Sequence, residues 1–351
     1  MTSLPPAIDT GTLSILLLVF AAISGAGYTL RVLRRRERVA ERRRAADLTD
    51  SLRDFLARQI PAARLASDAA AAEAGAFWTA IESLTSRGDG WLALSRALAD
   101  CPHFEIERRA LRDDSPWRRE LAARRLGLLF APGSRRALRA ALRAGPELVT
   151  LAAASSLARY RDHDALRWLL AHPESFAHRP HRARVGLLRA FGRGALPAIA
   201  DALERGTGDA ALDRAILEVL GLGAYREARH SIERWLREGD VEQRVAAARA
   251  LGRMEADDCA SSLACALRDE AWPVRAQAAW ALGRTRTGIA LLALPARLTD
   301  PAWWVRRHAA YALRDLGPEG IGELRRIAHG SPDPYARDMA REALESVSAA
   351  A

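Results

Sequence analysis

Apolar and polar positions in the last third of the chain repeat with a period of 31 residues. One short phrase of polar and apolar residues is written four times, over residues 240–252, 269–283, 300–314 and 333–345. A fixed period of this length is typical of a solenoid, in which small structural units stack on one another. Three columns share the period: Arg244, Arg275, Arg306 and Arg337; Ala247, Ala278, Ala309 and Ala340; Leu251, Leu282, Leu313 and Leu344.

Each unit is predicted to contain two helices. Val274, Ala278, Ala281 and Leu282 recur at helical spacing and form one apolar stripe, and Gly283 is predicted to end that helix. We call the helix that carries the phrase the second helix of its repeat, and the other the first helix. Neither can cover its stripe alone, so neighbouring pairs must stack. The next first helix is predicted to run to residues 299–301 and to carry Ile289, Leu291, Leu292, Leu294 and Leu298.

The repeat register also extends towards the N-terminus. The leucine column continues through Leu220, Phe191, Leu157 and Leu126, which gives eight units between residue 91 and the C-terminus. The predicted fold is all-α, a right-handed α-solenoid of about eight two-helix repeats over residues 91–351. Residues 31–90 are predicted to form a basic segment followed by a helical connector.

An uncharged apolar run at residues 10–30 predicts a transmembrane helix. At a rise of 1.5 Å per residue it spans roughly 30 Å, which matches the hydrocarbon core of a bilayer. A cleaved signal peptide is the alternative, but residues 1–9 contain no basic residue. Residues 1–9 are therefore predicted to form a short tail outside the cell.

A cluster of arginines follows this run and sets the predicted orientation. By the positive-inside rule it places the solenoid in the cytoplasm, in a single-pass protein of the bacterial inner membrane. The cluster is also predicted to contact anionic lipid headgroups, with a nucleic-acid patch as the alternative. Its members are Arg31, Arg34, Arg35, Arg36, Arg38, Arg42, Arg43 and Arg44.

Composition changes this picture little. The chain has 351 residues and a formal net charge of +10, but much of that charge lies in the arginine cluster. The remaining surface therefore gives weak electrostatic support for nucleic-acid binding. Three cysteines without framework spacing favour reduced thiols over disulfides.

The phrase D-x-x-x-x-V-R-x-x-A-A-x-A-L-G, which spans Asp269 to Gly283, resembles the bacterial HEAT-like repeat family. The short repeats are similar to those of phycobilin lyases. This resemblance implies an α-solenoid whose second helices line a concave face. It also implies a ladder of hydrogen bonds between units, in which Asp269 with Arg275 and Asp300 with Arg306 take part.

The sequence offers little support for catalysis. HEAT-like hydroxylases carry His-Glu dyads, and this chain contains no His-Glu pair. His172, His178 and His181 lie within ten residues, but no fourth ligand is evident, so we expect no metal and no cofactor. We expect a protein that is not an enzyme. A HEAT-fold enzyme or nucleic-acid-binding protein, lyase-like or DNA-glycosylase-like, is the alternative.

The variable positions of the second helices form the predicted binding surface. Aromatic and arginine side chains are enriched at binding hot spots, which favours a patch that binds a protein partner. Packing between repeats is the alternative for the same aromatic residues, and three tryptophans before the second helices, Trp272, Trp303 and Trp304, are predicted to fill gaps between units. The predicted concave-face residues are Arg249, Gln277, Trp280, His308, Tyr311 and Glu342.

The function predicted from these features is a membrane-anchored, non-catalytic scaffold. Its partner is predicted to be a protein, itself associated with the membrane. No small-molecule substrate and no nucleic acid are expected.

Overall fold

Helices make up the regular secondary structure in the part of the chain that the computed structural model describes, namely residues 35, 39–84, 89–176, 178–255 and 257–348. Ala, Leu, Arg and Glu dominate these segments and are strong helix formers. The all-α repeat prediction is confirmed for these residues. Their α-helices are α1 39–56, α2 Ala62–Ala71, α3 Ala74–Ser83, α4 Asp89–Ala97, α5 Pro102–Ala110, α6 Pro116–Leu126, α7 Ser134–Ala144, α8 Glu147–Arg159, α9 His163–Ala171, α10 His181–Ala190, α11 Leu196–Arg205, α12 Ala210–Leu222, α13 Arg229–Glu238, α14 Val241–Met254, α15 Ala260–Ala266, α16 Trp272–Arg284, α17 Gly288–Ala293, α18 Trp303–Asp315, α19 Pro318–Gly330 and α20 Pro334–Ser348.

The chain divides within α7 into two compact units, one up to residue 137 and one from residue 138 onward. The first unit has an aromatic core. Phe77, Trp78 and Phe104 are fully buried, and the Trp78 ring meets the other two edge-on at centroid distances of 4.9 and 5.6 Å. Beside this core the buried Glu107 carboxylate accepts a hydrogen bond of 2.8 Å from Arg125.

The second unit is an alternation of first and second helices. The first helices are α9, α11, α13, α15, α17 and α19, and the second helices are α8, α10, α12, α14, α16, α18 and α20.

The repeated columns form the core of this second unit. In the leucine column Leu251, Leu282 and Leu313 have no exposed surface, and the alanines of the repeated alanine column are equally buried. Leu344, in α20, is only half-buried. Each apolar stripe is therefore covered by neighbouring repeats, as the pattern requires.

Two local predictions in the second unit were wrong. Gly283 does not end its helix, because α16 continues to Arg284 and Gly283 packs against Ala312 of α18. The following helix is not continuous, because Pro295 lacks the amide hydrogen that an α-helix needs, and α17 gives way there to a 3₁₀ turn. Leu292 is 84% exposed and lies outside the core.

The predicted transmembrane helix and single-pass inner-membrane location must be corrected. Within the described ranges no helix is both long enough and apolar enough to cross a bilayer. The predicted span, residues 10–30, and the tail before it lie outside the described residues.

The arginine cluster gives no independent support for a membrane contact. Arg35, Arg42, Arg43 and Arg44 are exposed, and Arg44 pairs with Glu73 near the start of α3. The predicted contact with anionic headgroups depended on the transmembrane helix and is not supported. The other members, Arg31, Arg34, Arg36 and Arg38, lie outside the described residues.

Candidate partner-binding face

Trp280 lies half-buried on α16 and touches the neighbouring second helix. A Cβ atom at Gly252 of α14 would lie 2.9 Å from Cζ3 of the Trp280 ring. The guanidinium carbon of Arg284 lies 5.3 Å from the centroid of the same ring. Trp280 therefore packs between repeats and still presents part of its surface to solvent.

Tyr311 is held between two guanidinium groups on α18. The guanidinium carbons of Arg307 and Arg314 each lie 4.7 Å from the centroid of the Tyr311 ring. The Tyr311 hydroxyl donates a hydrogen bond of 3.1 Å to Glu342 Oε1 on α20. Glu342 also lies 3.8 Å from Arg307 Nε. These contacts fix the orientation of a half-exposed tyrosine.

Arg249 and Gln277 connect α14 to α16 at the surface. Arg249 Nε and Nη2 donate to Gln277 Oε1 at 3.4 and 3.3 Å. Arg249 is exposed and Gln277 is half-buried. No carboxylate pairs with Arg249 among the described residues.

His308 has a structural contact. Its Nδ1 lies 2.8 Å from the carbonyl oxygen of Ala276, one repeat earlier. Because a carbonyl oxygen can only accept, Nδ1 carries the proton in this contact. His308 thus ties α18 to α16.

The structure therefore places the six predicted residues on successive second helices. Arg249 pairs with Gln277 and Tyr311 pairs with Glu342, whereas Trp280 and His308 each contact other residues. Packing between repeats and exposure to solvent are combined at Trp280 and Tyr311. Arg249 and Glu342 are the exposed members.

The sequence predicts that three tryptophans fill gaps between units, but in the structure they are nearly half exposed. They lie in the first turns of α16 and α18, and a tyrosine takes a similar place on α20. Trp303 and Trp304 meet edge-on at a centroid distance of 4.7 Å. The signal that identifies this surface is the position two or three residues before the repeat arginine, which faces away from the apolar stripe. The exposed fractions are 46% for Trp272, 43% for Trp303, 48% for Trp304 and 65% for Tyr335.

The repeat arginines and aspartates pair across repeats. Arg275 donates from Nε to Asp300 Oδ2 at 2.8 Å and from Nη2 to Oδ1 at 3.0 Å. Arg244 holds Asp269 in the same way, at 2.8 and 2.9 Å. Within its own repeat Arg275 Nη1 donates to the carbonyl oxygen of Asp269, at 2.8 Å. Each arginine thus fixes its own loop with one nitrogen and the next repeat with two others.

Two of the three histidines considered for a metal site have other partners. His172 stacks on Trp168 at 4.2 Å, and His181 Nε2 lies 2.6 Å from Glu218 Oε2. Among the residues that the structure describes, no group of three or more metal-ligating side chains comes together. Of the cysteines, Cys259 is buried, and burial raises the pKa of its thiol to about 11.

The sequence of the second unit is similar to HEAT repeats. The family profile for HEAT repeats matches residues 196–283 and again residues 260–345, which together cover less than half of the chain. The narrower resemblance to the phycobilin-lyase type stays a prediction. No curated protein sequence matches the chain.

Solved structures with similar helical arrangements are distant in sequence. An engineered protein has 17% identity, with 87% of this chain and 94% of that one covered, and a TM-score of 0.37. Human deoxyhypusine hydroxylase in complex with glycerol has 16% identity, coverage of 89% and 98%, and a TM-score of 0.30. Kap121p bound to RanGTP has 14% identity and a TM-score of 0.39, and the chain spans 43% of its length while 87% of this chain is covered.

Proposed function

We propose that this protein is a non-catalytic scaffold that binds a protein partner through the second helices α14 to α20. The observation that carries the proposal is the row of exposed aromatic side chains at the first turns of α16, α18 and α20, next to the Tyr311 contacts. We call this surface the aromatic face; it comprises Trp272, Trp280, Trp303, Trp304, Tyr311 and Tyr335.

The chemistry of the aromatic face suits a protein partner. Tryptophan, tyrosine and arginine are enriched among the hot-spot residues of protein interfaces, because they bury a large area and still form polar contacts. Arg307 lies over both Trp303 and Tyr311, at 5.6 and 4.7 Å from the ring centroids. Side chains that are already held in place lose less conformational entropy on binding.

The test uses the full chain and cross-linking capture from the native cell. A Trp303→Ala, Trp304→Ala, Tyr311→Ala variant should lose one specific cross-linked protein that the unmodified chain retains. The matched control is Leu292→Ala, which removes an exposed apolar side chain from the first helix α17, away from the aromatic face.

The captured protein must then bind in purified form, measured by calorimetry. We expect the triple variant to bind at least about 10-fold more weakly, since hot-spot residues each contribute more than roughly 1 kcal/mol. If the triple variant keeps its helix content by circular dichroism and binds the partner as tightly as the unmodified chain does, the aromatic face is not the binding surface.

A further inference from the structure

At Arg306 the arginine ladder has the same loop contacts as in the two rungs described above, but no carboxylate of the described residues is bound. In the two rungs described above, an arginine at position n holds an aspartate at position n + 25. The arginine at 306 has Ser331 at that position. The sequence phrase hides this change, because an aspartate does occur nearby, at residue 333.

Arg306 is anchored as its neighbours are. Its Nη1 donates to the carbonyl oxygens of Asp300 at 2.8 Å and Pro301 at 3.1 Å. Arg275 makes the equivalent contacts with Asp269 at 2.8 Å and Glu270 at 3.0 Å. The two guanidinium groups are therefore held by the same loop contacts, and the nitrogen that binds aspartate in the earlier rungs, Nε, is buried in Arg306 without a hydrogen-bond partner in the described part of the chain.

Asp333 does not complete this rung. Its Oδ1 accepts hydrogen bonds from the backbone amides of Tyr335 at 2.8 Å and Ala336 at 3.3 Å, at the start of α20. It thus satisfies amides that the first turn of a helix leaves unpaired. No ion pair joins it to Arg306 among the described residues.

The Tyr335 ring also contacts the guanidinium group of Arg306. The guanidinium carbon of Arg306 lies 5.2 Å from the ring centroid. A cation–π contact at an exposed site is weaker than a bidentate pair with a carboxylate. The large exposed fraction of Tyr335 leaves the ring room to turn aside when a stronger ligand arrives.

We propose that Arg306 is a receptor for a carboxylate of the partner polypeptide, an aspartate or glutamate side chain that takes the place of the missing ladder aspartate. This inference rests on the proposed function and names one contact of the partner. A buried guanidinium nitrogen without a partner is unfavourable, so a carboxylate that satisfies it gains a charge-assisted hydrogen bond. Trp303 and Trp304 lie in the first turn of α18 and Tyr335 in the first turn of α20. These exposed aromatic residues suit an apolar residue beside the partner's acidic one.

The first experiment titrates the full chain with a defined probe, an acetylated and amidated peptide with the sequence of residues 299–304, whose aspartate is the ladder residue of an intact rung. Binding is followed by the Nε–H resonance of Arg306 in ¹⁵N NMR spectra, identified by its loss in Arg306→Lys. We expect a shift of this resonance with the aspartate peptide. The same peptide with asparagine should bind at least about 10-fold more weakly.

The decisive variant is Ser331→Asp, which supplies the missing carboxylate from within the chain. It should raise the Tm by about 2–4 °C and weaken binding of the peptide at least about 10-fold, because the new carboxylate already occupies the site at Arg306. Ser261→Asp adds the same charge at an exposed position on α15 and should leave the affinity for the peptide unchanged.

Equal peptide affinity in Ser331→Asp and the unmodified chain would overturn the proposal, as would the absence of binding up to about 5 mM peptide. Capture of the cellular partner separates this inference from the proposed function. Capture that survives Ser331→Asp but is lost in the aromatic triple variant removes only the carboxylate receptor, whereas capture that survives both removes the aromatic face as well.

Discussion

At the scale of single residues, one arginine per repeat connects three pieces of chain. Arg275 holds the loop of its own repeat and the carboxylate of Asp300 in the next. Burial opposes ionisation of Asp300, but hydrogen bonds from Arg275 and from the Ala302 amide outweigh that effect and lower the pKa of Asp300 below its ordinary value. The folded protein therefore favours the ionised carboxylate more strongly than the unfolded chain does.

This lowered pKa predicts a pH-dependent stability. The contribution of Asp300 is present above about pH 4, the ordinary pKa of an unfolded aspartate, and is lost as the pH falls through the lower folded pKa. Asp300→Asn should lower the free energy of unfolding by about 1–3 kcal/mol at pH 7 and by less at pH 3. Denaturant unfolding at both pH values measures the difference.

The control for this variant is Asp338→Asn, which removes an exposed partner of Arg341. It should change the free energy of unfolding by less than about 0.5 kcal/mol at either pH. The lowered pKa of Asp300 is contradicted if Asp300→Asn reduces the free energy of unfolding as much at pH 3 as at pH 7.

The sequence could predict that the ladder residues recur, but not how they pair. Asp269 and Arg275 are close in sequence, and the pairing across 25 residues, from Arg275 to Asp300, depends on how neighbouring repeats stack. The same limit applies to Trp280 and Tyr311, whose helical spacing fits both packing and exposure. Only the position of Gly252 beside Trp280 and of Glu342 beside Tyr311 shows that both occur together.

At the scale of elements, small residues set the separation of the second helices. A Cβ atom added at Gly252 would lie 2.7 Å from Cβ of Ala281, and one added at Gly283 would lie 2.5 Å from Cβ of Ala312. These positions also repeat with the 31-residue period. The helices α14, α16 and α18 thus approach each other where a glycine faces an alanine.

This contact predicts the effect of one added methyl group. Gly283→Ala should destabilise the protein by about 1–3 kcal/mol, since the neighbouring backbone of α18 cannot give way easily. Gly322→Ala is the matched control, because Gly322 is also inside a helix, α19, and a Cβ atom there meets nothing within 4 Å. It should stabilise the protein by roughly 0.5–1 kcal/mol.

Thermal unfolding of both variants checks the prediction. Opposite signs of the two changes in Tm are expected, although both substitutions replace glycine by alanine in a helix. A rise in Tm for Gly283→Ala would show that the helices are free to separate.

The helix pairs were predicted correctly from the sequence, but two of the helix ends were not. A glycine at the end of an apolar stripe is typical of a helix terminus, and Gly283 has that position. Its role is instead close packing, a property of the neighbouring helix that the local sequence does not contain. Pro295 carried a clear signal for a helix break, and its effect on α17 was predictable in principle.

At the scale of the whole molecule, each repeat is stabilised by its neighbours, and each of the two compact units contains fully buried apolar residues. Leu282 is fully buried in the second unit, and Leu65 is fully buried in the first. Stability in such an array is close to a sum of local terms and contacts between neighbours. A defect in one unit should therefore act mainly on that unit.

We predict that Leu282→Ala lowers local stability by about 2–5 kcal/mol, because it leaves a cavity in the core. Hydrogen exchange measured by mass spectrometry should accelerate in α14, α16 and α18 and stay unchanged in α2 to α5. Leu65→Ala should give the reverse distribution. Faster exchange throughout the chain in either variant would contradict a local effect of these substitutions.

At this scale the prediction of a helical repeat was correct, and the prediction of a transmembrane helix was wrong. Repetition at 31 residues is a strong signal, because every unit must satisfy the same packing. The apolar run at residues 10–30 is a single signal without internal checks, and the described part of the structure gives it no support.

The pairing of Arg275 with Asp300 also determines how the length of the array can change. A second copy of residues 269–299 inserted between Thr299 and Asp300 would give two junctions between repeats where the chain now has one. At one, Arg275 would meet the copied aspartate, and at the other the copied arginine would meet Asp300, so each junction repeats a pairing that the chain already contains. The array can therefore grow or shrink by whole 31-residue modules through gene duplication or deletion, whereas an insertion of another length between Arg275 and Asp300 would change the separation of this pair.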